Sequence, residues 1–255
     1  MKSDLDHTAI TRYMARNGSP FDFSIDNILE PARYDLESRI KDSTWKGGQV
    51  FVVDFGNYHW QISGATRFWK QNAYNCMKPR ANIFFGQPVQ KFDLIILNLL
   101  PAWFDFDFLL KQVHSRLNDE GLFAFSSFGP DTLREVVKAW EFDDAYPHVH
   151  SFVDKHDLGD SMLRSGLARP IVDSVWMKFA YTHYQILVGD LRAGGFSNIH
   201  RERRKSLLGR NTHDRYIRNL MKLVTENNEA VTFEYIYGLG FMQDQSSIKV
   251  QPPQL

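Results

Sequence analysis

The stretch VVDFGNYHW, residues 52–60, has the form of a buried strand followed by the turn that binds a nucleotide in many α/β domains. Asp54 ends the strand and Gly56 follows it. Glycines let the backbone of such a turn approach its ligand, since a side chain there would occupy the ligand's volume. Tyr58 and Trp60 stand where the customary further glycines would be. The pattern therefore predicts a nucleotide-binding fold in which two aromatic rings fill the ligand's place.

The segment that follows also lacks a second determinant of nucleotide binding. A carboxylate at the end of the second strand normally holds the ribose through two charge-assisted hydrogen bonds. Residues 55–92 contain no Asp or Glu, so no carboxylate for this role comes from them. Asp54 and Asp93 are also too close in sequence for three full crossovers with two strands between them. We therefore expect at least one βα unit to be shortened or missing.

A basic stretch, RERRKSLLGR, is the second candidate site. It carries five cations within residues 201–210, namely Arg201, Arg203, Arg204, Lys205 and Arg210. This density suits an acidic protein surface or a phosphate group, and a solvated basic loop is the alternative. Nucleic acid ranks last because the patch is short and the chain as a whole is neutral, with 30 basic and 30 acidic residues.

Three histidines, His148, His150 and His156, lie close in sequence with Asp154 and Asp157 beside them. This spacing permits a metal site, but the last histidine and its neighbouring aspartates read better as the capped start of a helix. We therefore predict no metal. The sequence also contains no nucleophile–base pair, P-loop or GxSxG motif, so it indicates no catalytic residue for acyl hydrolysis or phosphoryl transfer.

The elements that must position these residues alternate between helices and strands, which predicts a doubly wound, Rossmann-like α/β domain. Helices are expected within residues 28–42, 62–77, 106–117, 153–167 and 183–195, and strands within 48–54, 81–85, 92–101, 122–127, 171–181 and 230–242. We expect the final strand to pair at the edge of the sheet.

The composition of the chain indicates the size of its core and the compartment in which it folds. A chain of 255 residues with 43% hydrophobic content is long enough for one large core, and its single cysteine, Cys76, excludes an internal disulfide. No apolar run approaches the ~18 residues that span a bilayer, and the first twenty residues lack the apolar core of a signal peptide. These features predict a cytoplasmic protein without a membrane segment.

Four blocks of the sequence resemble one known family in the family's own order. SSFGPDTLREVVKAW matches that family's TFGPDTLKEL, and the similarity continues through HVHSFVDKHDLGD, LVGDLRAGGFSNIH with the basic stretch, and VTFEYIYGLGF. The similarity extends over roughly residues 92–241, and it resembles the malonyl-acyl-carrier-protein O-methyltransferases of biotin synthesis, the BioC family. The resemblance implies a class I methyltransferase-like fold, with a mainly parallel sheet, an antiparallel edge hairpin and a helical lid.

The resemblance also assigns roles to individual residues. In this family S-adenosylmethionine binds after the first strand, which implies cofactor contacts at Asp54, Gly56, Gln87 and Asn98. Gln87 replaces an aspartate beside the adenine, and the two aromatic rings replace the second and third glycines. Trp103, in NLLPAW, matches a residue near the methyl acceptor. The basic stretch lies on the side that meets acyl-carrier protein, so we predict docking near Arg203, Arg204 and Lys205.

These observations predict a degenerate family member, a pseudoenzyme that has weakened or lost methyl transfer from S-adenosylmethionine and retains carrier-protein binding. The alternative is an active O-methyltransferase that uses a rearranged cofactor loop. We expect an N-terminal helical cap in residues 1–45, the methyltransferase-like domain in 46–242 with a lid helix at about 183–195, and a loose tail in 243–255.

Overall fold

A mixed six-stranded sheet forms the centre of the structure, a computed structural model that describes residues 6, 26–55, 59–76, 82–84, 86–87, 89–140, 146–193, 198–226 and 230–243. The strands are β1 (Gly48–Asp54), β2 (Ala65–Asn72), β3 (Phe92–Leu97), β4 (Leu117–Phe128), β5 (Leu167–Ala180) and β6 (Ala230–Met242). Their order is β2-β1-β3-β4-β6-β5. The first four are parallel and the last two antiparallel, which confirms the predicted parallel sheet with an antiparallel hairpin at its edge.

Seven α-helices are described: α1 (Asp26–Asp42), α2 (Ala73–Cys76), α3 (Phe106–Arg116), α4 (Arg134–Trp140), α5 (Lys155–Arg164), α6 (Tyr184–Ala193) and α7 (Arg210–Glu226). Two of them, α3 and α5, have an aspartate as the N-cap residue. The side chain of Asp105 accepts from Phe108 N at the start of α3, and that of Asp154 accepts from His156 N at the start of α5. The predicted capped helix start beside His156 is therefore confirmed. Each described helix is too short or too polar to cross a bilayer.

The central strands β1 and β3 are buried along most of their length. The side chains of β1 from Val50 to Asp54 are buried, as are those of β3 from Leu94 to Leu97. Such continuous apolar runs are typical of parallel strands with no solvent-facing side. They place two polar residues, Asp54 and Asn98, at the carboxyl ends of neighbouring strands.

Three predictions about the sheet are wrong. Residues 65–72, predicted as part of a helix, form β2, which pairs in parallel with β1. The predicted strand at 81–85 is a turn at Asn82–Phe84. The final strand, β6, lies between β4 and β5, so β5 is the edge strand. A helix that the sequence analysis did not predict, α7, buries Tyr216, Leu220 and Val224 at a spacing of four residues.

The predicted shortening of a βα unit is confirmed in the described part of residues 55–92. That part contains one strand, β2, and its link to β1 through residues 55 and 59–64 contains no helix. From β1 the chain goes to β2 on one side of the sheet, whereas β3 lies on the other side. The carboxyl ends of β1 and β3 therefore form the switch point at which open α/β sheets bind their ligands.

Candidate functional site

Asp54 and Asn98 meet at the switch point between β1 and β3. The Asn98 backbone N–H donates to Val53 O at 2.9 Å, which continues the ladder between the strands. The Asn98 side-chain Nδ2 donates to Asp54 Oδ1 at 2.9 Å. Asp54 is 1% exposed and Asn98 is fully buried. Two of the four residues that the sequence analysis assigned to the cofactor thus bond to each other in the core.

Ser126 of β4 completes the hydrogen bonding of the Asn98 amide. Its Oγ donates to Asn98 Oδ1 at 2.6 Å and accepts from Leu99 N at 3.0 Å. Leu99 has a φ of 56°, a left-handed conformation that a branched residue adopts only where its surroundings hold it. Ser126 therefore fixes both the orientation of the Asn98 amide and the turn that follows β3.

Trp60 closes the same cluster from the other side. Its indole Nε1 donates to Asp54 Oδ2 at 2.9 Å, and the Phe55 backbone N–H donates to Asp54 Oδ1 at 2.7 Å. The side chain of Trp60 is 5% exposed. Both carboxylate oxygens of Asp54 thus have donors from the protein itself. The structure places the Trp60 indole against Asp54, and the filling of a nucleotide slot by this ring stays a prediction; Tyr58 and Gly56 lie outside the described residues.

Helix α1 holds the loop that carries Trp60. Arg33 Nη1 donates to His59 O at 3.2 Å, and Gln61 N donates to Glu37 Oε1 at 2.7 Å. Arg33 and Glu37 also form an ion pair with each other at 3.1 Å. The residues on both sides of Trp60 are therefore tied to one turn of α1, and these contacts hold the indole against Asp54.

The end of β2, where a ribose carboxylate would be expected, carries amides instead. Asn72 is the register partner of Asp54, and Gln71 is the partner of Val53. Lys70, one position earlier, has its pKa lowered by burial, while the carboxylate of Asp54 opposes that shift. The expected adenine contact, Gln87, is half-buried in a turn in which its N–H donates to Phe84 O at 3.0 Å.

Trp103, the predicted acceptor-side residue, packs in the core. It is 4% exposed, and its ring centroid lies 4.8 Å from that of His150 and 6.4 Å from that of Phe55. The ring of His150 hydrogen-bonds the backbone of Ala102, and its Nε2 has no partner among the described residues. Trp103 is thus part of the packing beneath the switch-point turn, beside a buried neutral imidazole.

His150 gives the fold a pH dependence that can be measured. Burial lowers its pKa to about 3, and the nearby His200 acts in the same direction. Below about pH 6.5 the unfolded chain binds a proton at this histidine, whereas the folded chain does so only near pH 3. We therefore expect the free energy of unfolding to fall as the pH falls through this window. His150→Asn should flatten the slope by up to about 1.4 kcal/mol per pH unit in urea titrations. An unchanged slope would contradict this prediction.

The five cations of the basic stretch differ in their surroundings. Arg203 pairs with Asp6 at 3.0 Å and donates to His200 O at 2.8 Å. Arg204 donates to Ser206 Oγ at 3.1 Å, and its guanidinium lies 5.8 Å from the Tyr146 ring centroid. The exposed members are Arg201, Lys205 and Arg210, the last of which lies 4.0 Å from Asp214. These three side chains therefore form the accessible part of the predicted docking surface.

The three histidines considered for a metal have separate partners. His148 stacks on Trp140 with ring centroids 3.9 Å apart, and His156 Nδ1 lies 2.6 Å from Asp154 Oδ1. The ring of His150 packs at a tilt of 44° against that of Trp103. Among the residues that the structure describes, no group of three or more His, Cys, Asp or Glu side chains could hold a metal ion.

Sequence reasoning missed the residues that complete the Asp54 cluster. Ser126 follows an apolar, buried run within its strand, which is a usable signal for a buried polar role. Arg33 and Glu37 are four residues apart on α1, and this spacing indicates that they form an ion pair. It does not indicate that the two side chains also contact the Trp60 loop. Those contacts join parts of the chain that only the fold brings together.

Comparison with known proteins places the chain near one group of enzymes. It is 36% identical over 146 residues to a malonyl-[acyl-carrier protein] O-methyltransferase of Nitrosospira multiformis, a match that covers 57% of this chain and 48% of that protein. It is 34% identical over 159 residues to malonyl-[acyl-carrier protein] O-methyltransferase 1 of Coxiella burnetii, covering 62% and 56%. No family model matches.

A search of solved structures finds methyltransferases as well as the YcgJ protein of Bacillus subtilis, which has a TM-score of 0.45 at 11% identity and covers 83% of this chain and 99% of that one. The observed strand order and the mixed sheet agree with the Rossmann-like class I methyltransferase fold expected from the sequence. The chain spans about half the length of the curated relatives it matches. Over that half, the chain is similar in sequence to the malonyl-[acyl-carrier protein] O-methyltransferases.

Proposed function

We propose that this chain is a degenerate relative of the malonyl-[acyl-carrier protein] O-methyltransferases, a pseudoenzyme that binds a carrier protein without transferring a methyl group. The observation that carries this proposal is the hydrogen bond from Trp60 Nε1 to Asp54 Oδ2 inside a closed, buried cluster. This bond supports the proposal because it engages the strand-end carboxylate at the switch point, where open α/β sheets bind their ligands.

The residues at the switch point do not fit S-adenosylmethionine in its usual mode. The carboxylate of Asp54 already accepts from Phe55, Trp60 and Asn98, so a ligand there would displace a bond that the protein makes to itself. A ribose would meet Asn72 at the end of β2. The amide of Asn72 carries no charge, so its hydrogen bonds to the ribose hydroxyls would be weaker than those of a carboxylate. The Trp60 loop would also have to leave its contacts with α1.

Loss of this site is sufficient to remove methyl transfer. The reaction of the similar enzymes joins a ready nucleophile, the malonyl carboxylate, to an activated methyl donor. Alignment and exclusion of water therefore supply most of the rate enhancement, and side chains need do little chemistry. A chain that cannot hold the donor has no described side chain that replaces it.

Carrier-protein binding is supported by the names of the relatives and by the exposed cations. The curated relatives act on malonyl-acyl-carrier protein. Arg201, Lys205 and Arg210 present positive charge on one exposed segment of a chain whose net charge is zero. Such a local patch steers and holds an acidic partner through complementary potential.

A second candidate is an active O-methyltransferase in which the Trp60 loop moves aside. The identity of 36% to the Nitrosospira protein favours it, because sequence similarity at this level includes active enzymes. The free energy of cofactor binding would then have to offset the loss of the Trp60–Asp54 bond and of the two contacts with α1.

A methyl-transfer assay tests the proposal. The purified chain is mixed with malonyl-acyl-carrier protein and methyl-labelled S-adenosylmethionine, with the Nitrosospira relative as the active control. We expect the control to form labelled methyl ester and this chain to form none, while it binds the carrier with an affinity that falls as salt is added. Repeated turnover by this chain would establish the active alternative, and absence of carrier binding would remove the partner.

A further inference from the structure

β2 forms one edge of the six-stranded sheet. β2 is the last strand of the sheet on its side and pairs with β1 alone. In the described part of the chain, no strand lies on its other flank. A strand in this position directs part of its backbone N–H and C=O groups away from the sheet, where they can pair with another chain.

A proline interrupts the opposite edge of the sheet, whereas β2 has no proline, although its register with β1 shifts between Ala65 and Arg67. In β5, Pro170 removes a donor, Arg169 has a φ of 51°, and the register shifts between Ala168 and Ile171. Prolines and irregularities of this kind are how proteins prevent a strand edge from pairing. β2 contains no proline, and its pairing with β1 is regular from Arg67 to Asn72.

The segment around β2 contains basic residues and no acidic ones. Residues 55–92 carry five Lys or Arg and no Asp or Glu, in a chain that has 30 of each kind overall. On the strand itself Arg67 is exposed, and Phe68 is 39% exposed. The carboxylate of Glu37 on α1, which lies beside this segment, is already bonded to Arg33 and Gln61. This edge therefore favours a negatively charged occupant over a second copy, which would place like charges opposite each other.

We propose that the edge of β2 over Ala65–Trp69 binds an extended acidic segment of another protein, which adds as a further strand of the sheet. Backbone hydrogen bonds would give the affinity, and the side chains would give the selection. Alternate residues of β2 lie on opposite faces of the sheet, so Arg67 meets an acidic residue on one face and Phe68 an apolar residue on the other. This surface is distinct from the 201–210 stretch and from the Asp54 cluster.

A peptide titration tests this inference. The probe is a fluorescein-labelled peptide of about seven residues that alternates glutamate with valine and threonine, and lysine replaces glutamate in the control peptide. We expect the acidic peptide to bind, the basic peptide not to bind, and amide exchange to slow at residues 65–69. Methylation of alternate backbone nitrogens of the peptide should abolish binding, because strand addition needs those donors.

Matched variants locate the contact. Arg67→Glu should weaken binding by about tenfold or more, while Arg67→Lys keeps the charge and most of the affinity. Arg201→Glu, in the other basic surface, should leave the affinity for the peptide unchanged. Equal binding of acidic and basic peptides, or insensitivity to Arg67→Glu, would overturn the inference. A dimer in sedimentation that Arg67→Glu changes would also overturn it, since a second copy would then occupy the edge. None of these readouts depends on cofactor or carrier binding.

Discussion

Trp60→Gly is expected to lower the free energy of unfolding by about 3–5 kcal/mol, the usual cost of deleting a buried aromatic ring. The change removes an indole that is 5% exposed and leaves Asp54 Oδ2 without its donor. Trp60→Phe keeps most of the volume and loses only the N–H, so it should cost about 1–3 kcal/mol. Urea unfolding of the two variants and the parent measures both values. Losses below about 1 kcal/mol for glycine would contradict the described packing.

The same position gives a sharper test of the proposed loss of cofactor binding. In the double variant Tyr58→Gly, Trp60→Gly we expect little recovery of S-adenosylmethionine binding, since clearing the slot restores neither the ribose carboxylate nor the adenine contact. Adding Asn72→Asp places a carboxylate at the end of β2, in register with Asp54. Measurable affinity should return first in this triple variant. Micromolar binding by the double variant would show that the rings alone block the site.

Charge reversal at the exposed cations should abolish carrier binding. Replacing Arg201, Lys205 and Arg210 by glutamate inverts the accessible patch, and the loss should exceed about a hundredfold at low salt. Arg203 is left in place because its ion pair with Asp6 and its bond to His200 O serve the fold. A titration of fluorescent malonyl-acyl-carrier protein measures the effect.

A charge-matched control separates this patch from net charge. The exposed lysines Lys41, Lys111 and Lys138 lie on α1, α3 and α4, and their replacement by glutamate changes the net charge by the same amount. We expect that variant to bind the carrier as the parent does. Equal loss in both variants, or no loss in either, would remove the 201–210 surface from the account.

The parts of the fold that could be predicted are those in which local pattern and burial agree. The continuous apolar runs at Val50–Val53 and Leu94–Leu97 are buried on both faces, so sequence alone indicates their strands. The sequence of β2, ATRFWKQN, mixes exposed and buried residues without a clear period, so it does not indicate a strand. Such a pattern is typical of an edge strand that pairs on one side. The position of β6 inside the sheet depends on long-range pairing with β4 and β5.

The residues of the candidate site also differ in whether the sequence could predict them. Asp54, Asn98 and Trp60 could be found from the sequence because they follow strands at positions where such folds bind ligands. Ser126 and the pair Arg33 and Glu37 could not be assigned to the site, since they reach it from β4 and α1. The sequence puts an aromatic residue at position 60, whereas the bond of this residue to Asp54 depends on the path of the loop.

Isothermal titration of the purified chain with S-adenosylmethionine and S-adenosylhomocysteine is the most direct test of the closed site. The Nitrosospira relative serves as the binding control. We expect no heat of binding to this chain up to millimolar ligand, because Asp54 keeps its bonds to Trp60, Phe55 and Asn98. A dissociation constant in the micromolar range, about −8 kcal/mol, would contradict the account and establish that the Trp60 loop opens to admit the cofactor.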